Sequence, residues 1–216
     1  IRTVLGLIIG SLAAYLGGVV DTILMWFTDV VINIPSLFLA MLINASLRIP
    51  LSNALQELYL RTQWSFLQNT VYLDFLLVFG ALAVVGWPLT ARLVRGQILS
   101  VRERTYIMAA RALGAGTRRI LIQHLIPNAL GPVIVQVTFG FSGAMLSEAS
   151  LSYLGIGIRP PGASWGAMIA DNMQYWRIHP HLVAAPGIIL AIVTLSINFL
   201  GDGLNDALNP RSGSVI

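Results

Sequence analysis

The side chains able to do chemistry in this chain are few and scattered. Three histidines, His124, His179 and His181, stand too far apart for a convincing metal site, and the His179-Pro180-His181 run reads as a solvated loop. Cysteine is absent, which removes disulfide frameworks, thiolate metal ligands and cysteine nucleophiles together. No paired acids and no Ser, His and Asp constellation points to hydrolysis. All 13 basic residues are arginine. A phosphate-binding P-loop uses a lysine behind its glycines to reach the outer phosphates, so this chain cannot build one. The expectation is a chain with no catalytic residue, metal ligand or bound cofactor, any ATP hydrolysis having to come from another chain. The polar groups that call for an account are those set in apolar runs: Asp29, Arg92, Glu148 and Asn198.

Those runs identify the elements that carry them. Of the 216 residues, 56% are hydrophobic and 10% charged, with a mean hydropathy of +0.78. A water-soluble domain carries about 25% charged residues, whereas a chain solvated by hydrocarbon has no such need. A spanning helix takes roughly 20 apolar residues, and about five stretches approach that length: 1–17, 22–45, 72–91, 128–150 and 181–201. The expected fold is all-α and polytopic, a single transmembrane domain over 1–216. The chain opens at Ile1 inside an apolar run, with neither initiator Met nor basic leader, and so reads as a fragment lacking at least an N-terminal helix.

In the first run, Gly6, Gly10, Ala14 and Gly18 recur at every fourth position and form one small-residue face, which lets a neighbouring helix approach closely. Residues 46–71, with Glu57, Arg61 and three glutamines among Leu, Tyr, Trp and Phe, read as an extracytoplasmic insertion forming an interfacial amphipathic helix. Trp64 and Phe66 suit headgroup depth there.

Residues 92–127 hold Arg92, Arg95, Arg102, Arg104, Arg111, Arg118 and Arg119 against one acid, Glu103. Excess arginine in a short loop between spans marks the cytoplasmic side, and topology alone explains it without nucleic acid. The remaining polar groups then fall into place by depth. Asp29 and the Arg92/Arg95 pair lie near the inner ends of the second and third spans, where an ion pair is expected to hold them together, and Pro35 is expected to kink the second span. Glu148, near the outer end of the fourth span, is either a pathway residue or is hydrated or paired with Arg159 or Arg177. Asn198 either lines a pore or bridges two helices.

Within the basic loop, Tyr106–Thr117 reads as a short alanine-rich helix ended by Gly114 and Gly116. A second short helix, about 118–125, leads to Pro127, which suits the start of the fourth span. Helix, glycine turn and helix on one face of a membrane suit mechanical contact better than chemistry. Ala109, Ala110, Gly114 and the downstream Ile126-Pro127 resemble the "EAA" loop of binding-protein-dependent ABC importer permeases, and the wording is similar to the dipeptide and oligopeptide (DppC/OppC-like) branch. The stretches 16–21, 28–35, 86–92, 148–155, 160–166 and 201–211 extend the resemblance nearly end to end. Met108 stands where the family has an acidic residue, and 46–71 is longer than the branch usually carries.

The resemblance implies a type I permease fold whose coupling helix, Ala109, Ala110, Arg111, Ala112, Leu113, Gly114 and Ala115, contacts an ATPase. It further implies a second permease subunit, two cytoplasmic ATP-binding subunits and an extracytoplasmic substrate-binding protein, assembled in the lipid of a bacterial or archaeal inner membrane. Peptides are the first expected cargo, with nickel or other small solutes as the alternative within the family. An ion-coupled secondary transporter or channel is the rival from another class, and it would more naturally show inverted repeats and mid-membrane ionisable groups.

Overall fold

The computed structural model describes residues 1–208, with the side chains of Arg111, Thr117 and Arg118 outside the description; Arg211 of the expected cytoplasmic tail also lies outside it. Among the described residues the regular structure is entirely helical: α1 (Arg2–Leu16), α2 (Gly18–Asn33), α3 (Ser36–Thr62), α4 (Thr70–Arg102), α5 (Thr105–Ala112), α6 (Thr117–Ile120), α7 (Ile126–Tyr153), α8 (Trp165–Asn172) and α9 (His181–Leu208). Four helical segments are long and apolar enough to cross a membrane, Ser36–Thr62, Thr70–Arg102, Leu121–Tyr153 and His181–Leu208, and α1 is a shorter apolar helix. This agrees with the all-α, polytopic expectation of about five spans.

Two boundaries differ from the sequence reading, each for a local reason. The run 22–45 is not one kinked helix. It breaks at Ile34, which is extended, and Pro35 caps the start of α3. A residue before proline is pushed out of the α region, and proline has no N–H to give to the previous turn, so the helix stops and a new one begins. Residues 46–62 are not a separate interfacial helix either, because α3 continues through them, Pro50 included, to a left-handed Gln63. A 3₁₀ turn, Ser65–Gln68, then leads to α4, with Trp64 and Phe66 stacked at 5.8 Å beside it.

The chain divides into two compact units, residues 1–34, 86–140 and 198 onward in one, and 35–85 with 141–197 in the other. In the first unit, Gly6 packs on Thr90 and Gly10 on Ala91 and Val94, so the small face of α1 lies against α4. Arg102 donates to the Ala14 carbonyl at 3.5 Å, near an otherwise unpaired end of α1. The core here is Ala14, Val94, Ile98, Val101, Ile107, Ile120, Leu125, Ala129 and Val133.

In the second unit, Ala40, Val78, Ala81, Val85, Leu151 and Ile158 form the apolar cluster. Ser164 caps α8 by accepting from the Gly166 N–H at 3.2 Å, and Gly166 sits against the Ala149 backbone. Ser142 on α7 donates to the Thr194 carbonyl of α9 at 3.2 Å.

Candidate coupling site

Helix α5 forms because Thr105–Ala112 supplies three alanines and no helix breaker, and it stops because Gly114 adopts φ +82°, a left-handed conformation cheap only for glycine. The Ala115 N–H donates to the Ala110 carbonyl at 3.0 Å and the Leu113 N–H to the Ala109 carbonyl at 3.0 Å, so the turn closes the helix end itself. The six-residue span of the first bond is that of a Schellman cap. One side of this motif is anchored: Ile107 is fully buried and Ala115 packs against the same cluster as Ile98, Ile120 and Val133. The other side is bare. Ala109, Ala112 and Gly114 are exposed, Met108 is 53% exposed and Leu113 89%. Ala110 is partly buried, and the side chain of Arg111 lies outside the described residues.

A small apolar face tied to a core suits cover by another protein surface or by lipid. Its tie to the spans is direct. Beyond α6 the backbone widens into a π turn, Leu121–Leu125, where the Ile126 N–H returns to the Leu121 carbonyl five residues back. Pro127 follows, with no N–H for the preceding turn, and α7 continues to Tyr153. The aromatic ring of Tyr106 meets His124 edge-on at 6.4 Å, a further link between α5 and this junction.

Helix α2 is held to α4 by charge. Arg95 donates to both carboxylate oxygens of Asp21, at 2.5 and 2.6 Å, and Arg92 pairs with Asp29. The ion pair expected between Asp29 and the end of the third span is thus present with Arg92, whereas Arg95 is committed to Asp21. Asp21 lies in the first turn of α2, where an acid also meets the positive end of the helix dipole.

The sequence profile of the "binding-protein-dependent transport system inner membrane component" family matches residues 6–214. The chain belongs to this family of inner membrane components. It is 36% identical over 211 residues to the dipeptide transport system permease protein DppC of Alkalihalophilus pseudofirmus, covering 98% of this chain and 62% of that protein. It is 34% identical over 215 residues to the oligopeptide transport system permease protein OppC of Mycobacterium bovis, covering 100% of this chain and 66% of that protein. A putative peptide transport system permease protein of Brucella suis is 38% identical over 211 residues, 98% of this chain and 63% of its own length. The chain therefore spans less than two thirds of the length of these relatives. As a family member with four helices among the described residues long and apolar enough to cross a membrane, it is a multi-pass membrane protein.

The other sequence-selected residues of this family member lie in different settings. Pro35 is exposed at the α2–α3 break, Pro127 is exposed at the start of α7, and Asn198 is partly buried on α9. Glu148 is buried and accepts from the Ser152 hydroxyl at 2.6 Å, and the same hydroxyl accepts from the Ile158 N–H at 3.0 Å. Neither Arg159 nor Arg177 pairs with it among the described residues; its partner is Ser152, one turn along on the same helix. His179 and His181 rings stand 5.8 Å apart, and no group of three metal-ligating side chains occurs among the described residues.

Asp74 escaped the sequence reading. It is fully buried on α4, lies 2.7 Å from Arg48 Nη1 on α3, and accepts from the Arg159 N–H at 2.9 Å. The signal was available, since an acid four residues into α4 needs a partner, but the identity of that partner depends on how α3 and the 155–163 loop fold back.

Proposed function

We propose that this chain is the pore-forming permease subunit of an ATP-driven importer of di- and oligopeptides, with α5 and its glycine turn as the element that receives force from an ATPase. The observation that carries this reading is the pairing of a fully buried Ile107 on α5 with an 89% exposed Leu113 in the turn that ends it, in a member of this transporter family. The bare face offers an apolar knob to a groove, and the buried face passes displacement to α4 and α7 through the shared core. Similarity to relatives named for dipeptide and oligopeptide transport supports the cargo class.

In this reading the Arg-rich segment faces the cytoplasm, two ATP-binding subunits use ATP and magnesium there, and a second permease subunit completes the pore. A substrate-binding protein delivers cargo from the other side. ATP-driven closure moves α5, and packed helices switch between two arrangements as rigid bodies, giving alternating access.

The test is reconstitution of the full assembly in lipid vesicles with Gly114→Val. A β-branched residue at φ +82° is strained, costing on the order of 1–3 kcal/mol locally, and the turn should refold away from its partner. ATP-driven peptide uptake should fall by tenfold or more, and binding-protein stimulation of hydrolysis should be lost. Uptake at the native rate with Gly114→Val and Ala110→Trp combined would remove α5 from the coupling role.

A further inference from the structure

Arg2 is a charged group that neither the ion pairs nor the α5 face uses. It begins α1, and its side chain runs across two glycines of neighbouring helices. A methyl group on Gly86 of α4 would meet its Cγ and Cδ, and one on Gly140 of α7 would meet its guanidinium carbon and nitrogens. Gly86 is 16 residues from each end of α4 (70 to 86, 86 to 102), and Gly140 is 14 and 13 residues from the ends of α7 (126 to 140, 140 to 153). At 1.5 Å per residue both stand roughly 20–24 Å from either helix end. The guanidinium is thus held near mid-length of two helices that cross the membrane.

No carboxylate answers it. Among the described residues no acid lies within ion-pair distance of Arg2 and no hydrogen bond is formed by its side chain, while Asp21, Asp29, Asp74 and Glu148 are each engaged elsewhere. Arg2 is also only partly buried. A cation at this depth is expensive against lipid and is retained where it faces water or an anion along a pathway. The absence of side chains at positions 86 and 140 lets the guanidinium lie against both helices, a fixed fork suited to bidentate recognition of a carboxylate.

We propose that Arg2 is a recognition site for the C-terminal carboxylate of a peptide as it crosses the membrane. This rests on the peptide-importer reading, with a lipid phosphate as the competing anion. The test uses the complete reconstituted transporter with its binding protein saturated by each cargo: trialanine with a free C-terminal carboxylate, and its C-terminal amide. The native protein should move the free acid about tenfold faster than the amide, the scale of one charge-assisted bidentate contact. Arg2→Gln should bring that ratio to about one, and Arg2→Lys should keep part of it. Gly140→Ala, which favours the helix but displaces the guanidinium, should lower the ratio in the same direction.

Co-purification with the partner subunits checks that each variant assembles. An unchanged ratio in Arg2→Gln, or an equal fall for both cargos as packing or lipid binding would give, overturns the proposal. Failure of the native assembly to move either peptide would instead sink the peptide-importer reading, with this site along with it.

Discussion

Ion pairs of similar length carry very different weight in this chain, because their surroundings differ. Arg61 and Glu57 meet at 2.6 Å on an exposed turn of α3, where such a pair is worth about 0–1 kcal/mol. Asp74 is fully buried, and removing it leaves Arg48 without its counter-charge, a loss of roughly 3–5 kcal/mol. Asp74→Ala should therefore lower the thermal unfolding midpoint of the detergent-solubilised protein by several degrees, while Glu57→Ala leaves it nearly unmoved. The Asp21–Arg95 contact lies between these limits, since both partners are partly buried and both carboxylate oxygens are used. A double-mutant cycle with Asp21→Asn and Arg95→Gln should return a coupling of about 1–3 kcal/mol. A value near zero would mean that the two groups only sit near each other.

Among the helices, α1 and α5 show how the surroundings change the meaning of a small side chain. On α1 the glycines are buried, and a Cβ at Gly10 would collide with the Ala91 backbone. Gly10→Leu should separate α1 from α4 and abolish assembly, whereas Gly80→Leu, on a face with open space, should be tolerated in the same pull-down. On α5 Ala109 and Ala112 face outward and the anchor is Ile107. Ile107→Ala removes a fully buried side chain at a cost of about 2–5 kcal/mol. Its expected signature is a chain that still binds its ATPase but shows weakened stimulation by binding protein, because α5 is no longer fixed to Val94, Ile98 and Ile120. Full stimulation in Ile107→Ala would show that displacement reaches the spans by another route.

For the whole molecule the proposed function predicts dependence on partners. On that reading it follows from a chain that has no lysine for a P-loop and presents a bare Leu113. Purified alone in lipid it should hydrolyse no ATP, and hydrolysis should appear only with the ATP-binding subunits present, measured as phosphate release. Hydrolysis by the isolated chain would contradict the division of labour proposed above.

How much of this was legible follows from which interactions are local. The long apolar runs, the glycine stop after Ala112 and the Gly6, Gly10 and Ala14 part of the small-residue face were readable in the sequence, because hydropathy, φ preference and four-residue periodicity depend on neighbours in the chain, whereas Gly18 falls beyond the break at Gly17 and begins α2. The same holds for the acid at position 29 and the arginines that must answer it. Other features required the tertiary structure. Arg95 pairs with Asp21 instead of Asp29, Asp74 finds Arg48 and the Arg159 backbone, and Arg2 lies across Gly86 and Gly140. Each of these joins groups tens of residues to more than a hundred residues apart, and a charge placed in apolar surroundings takes the partner that the packed helices bring within reach.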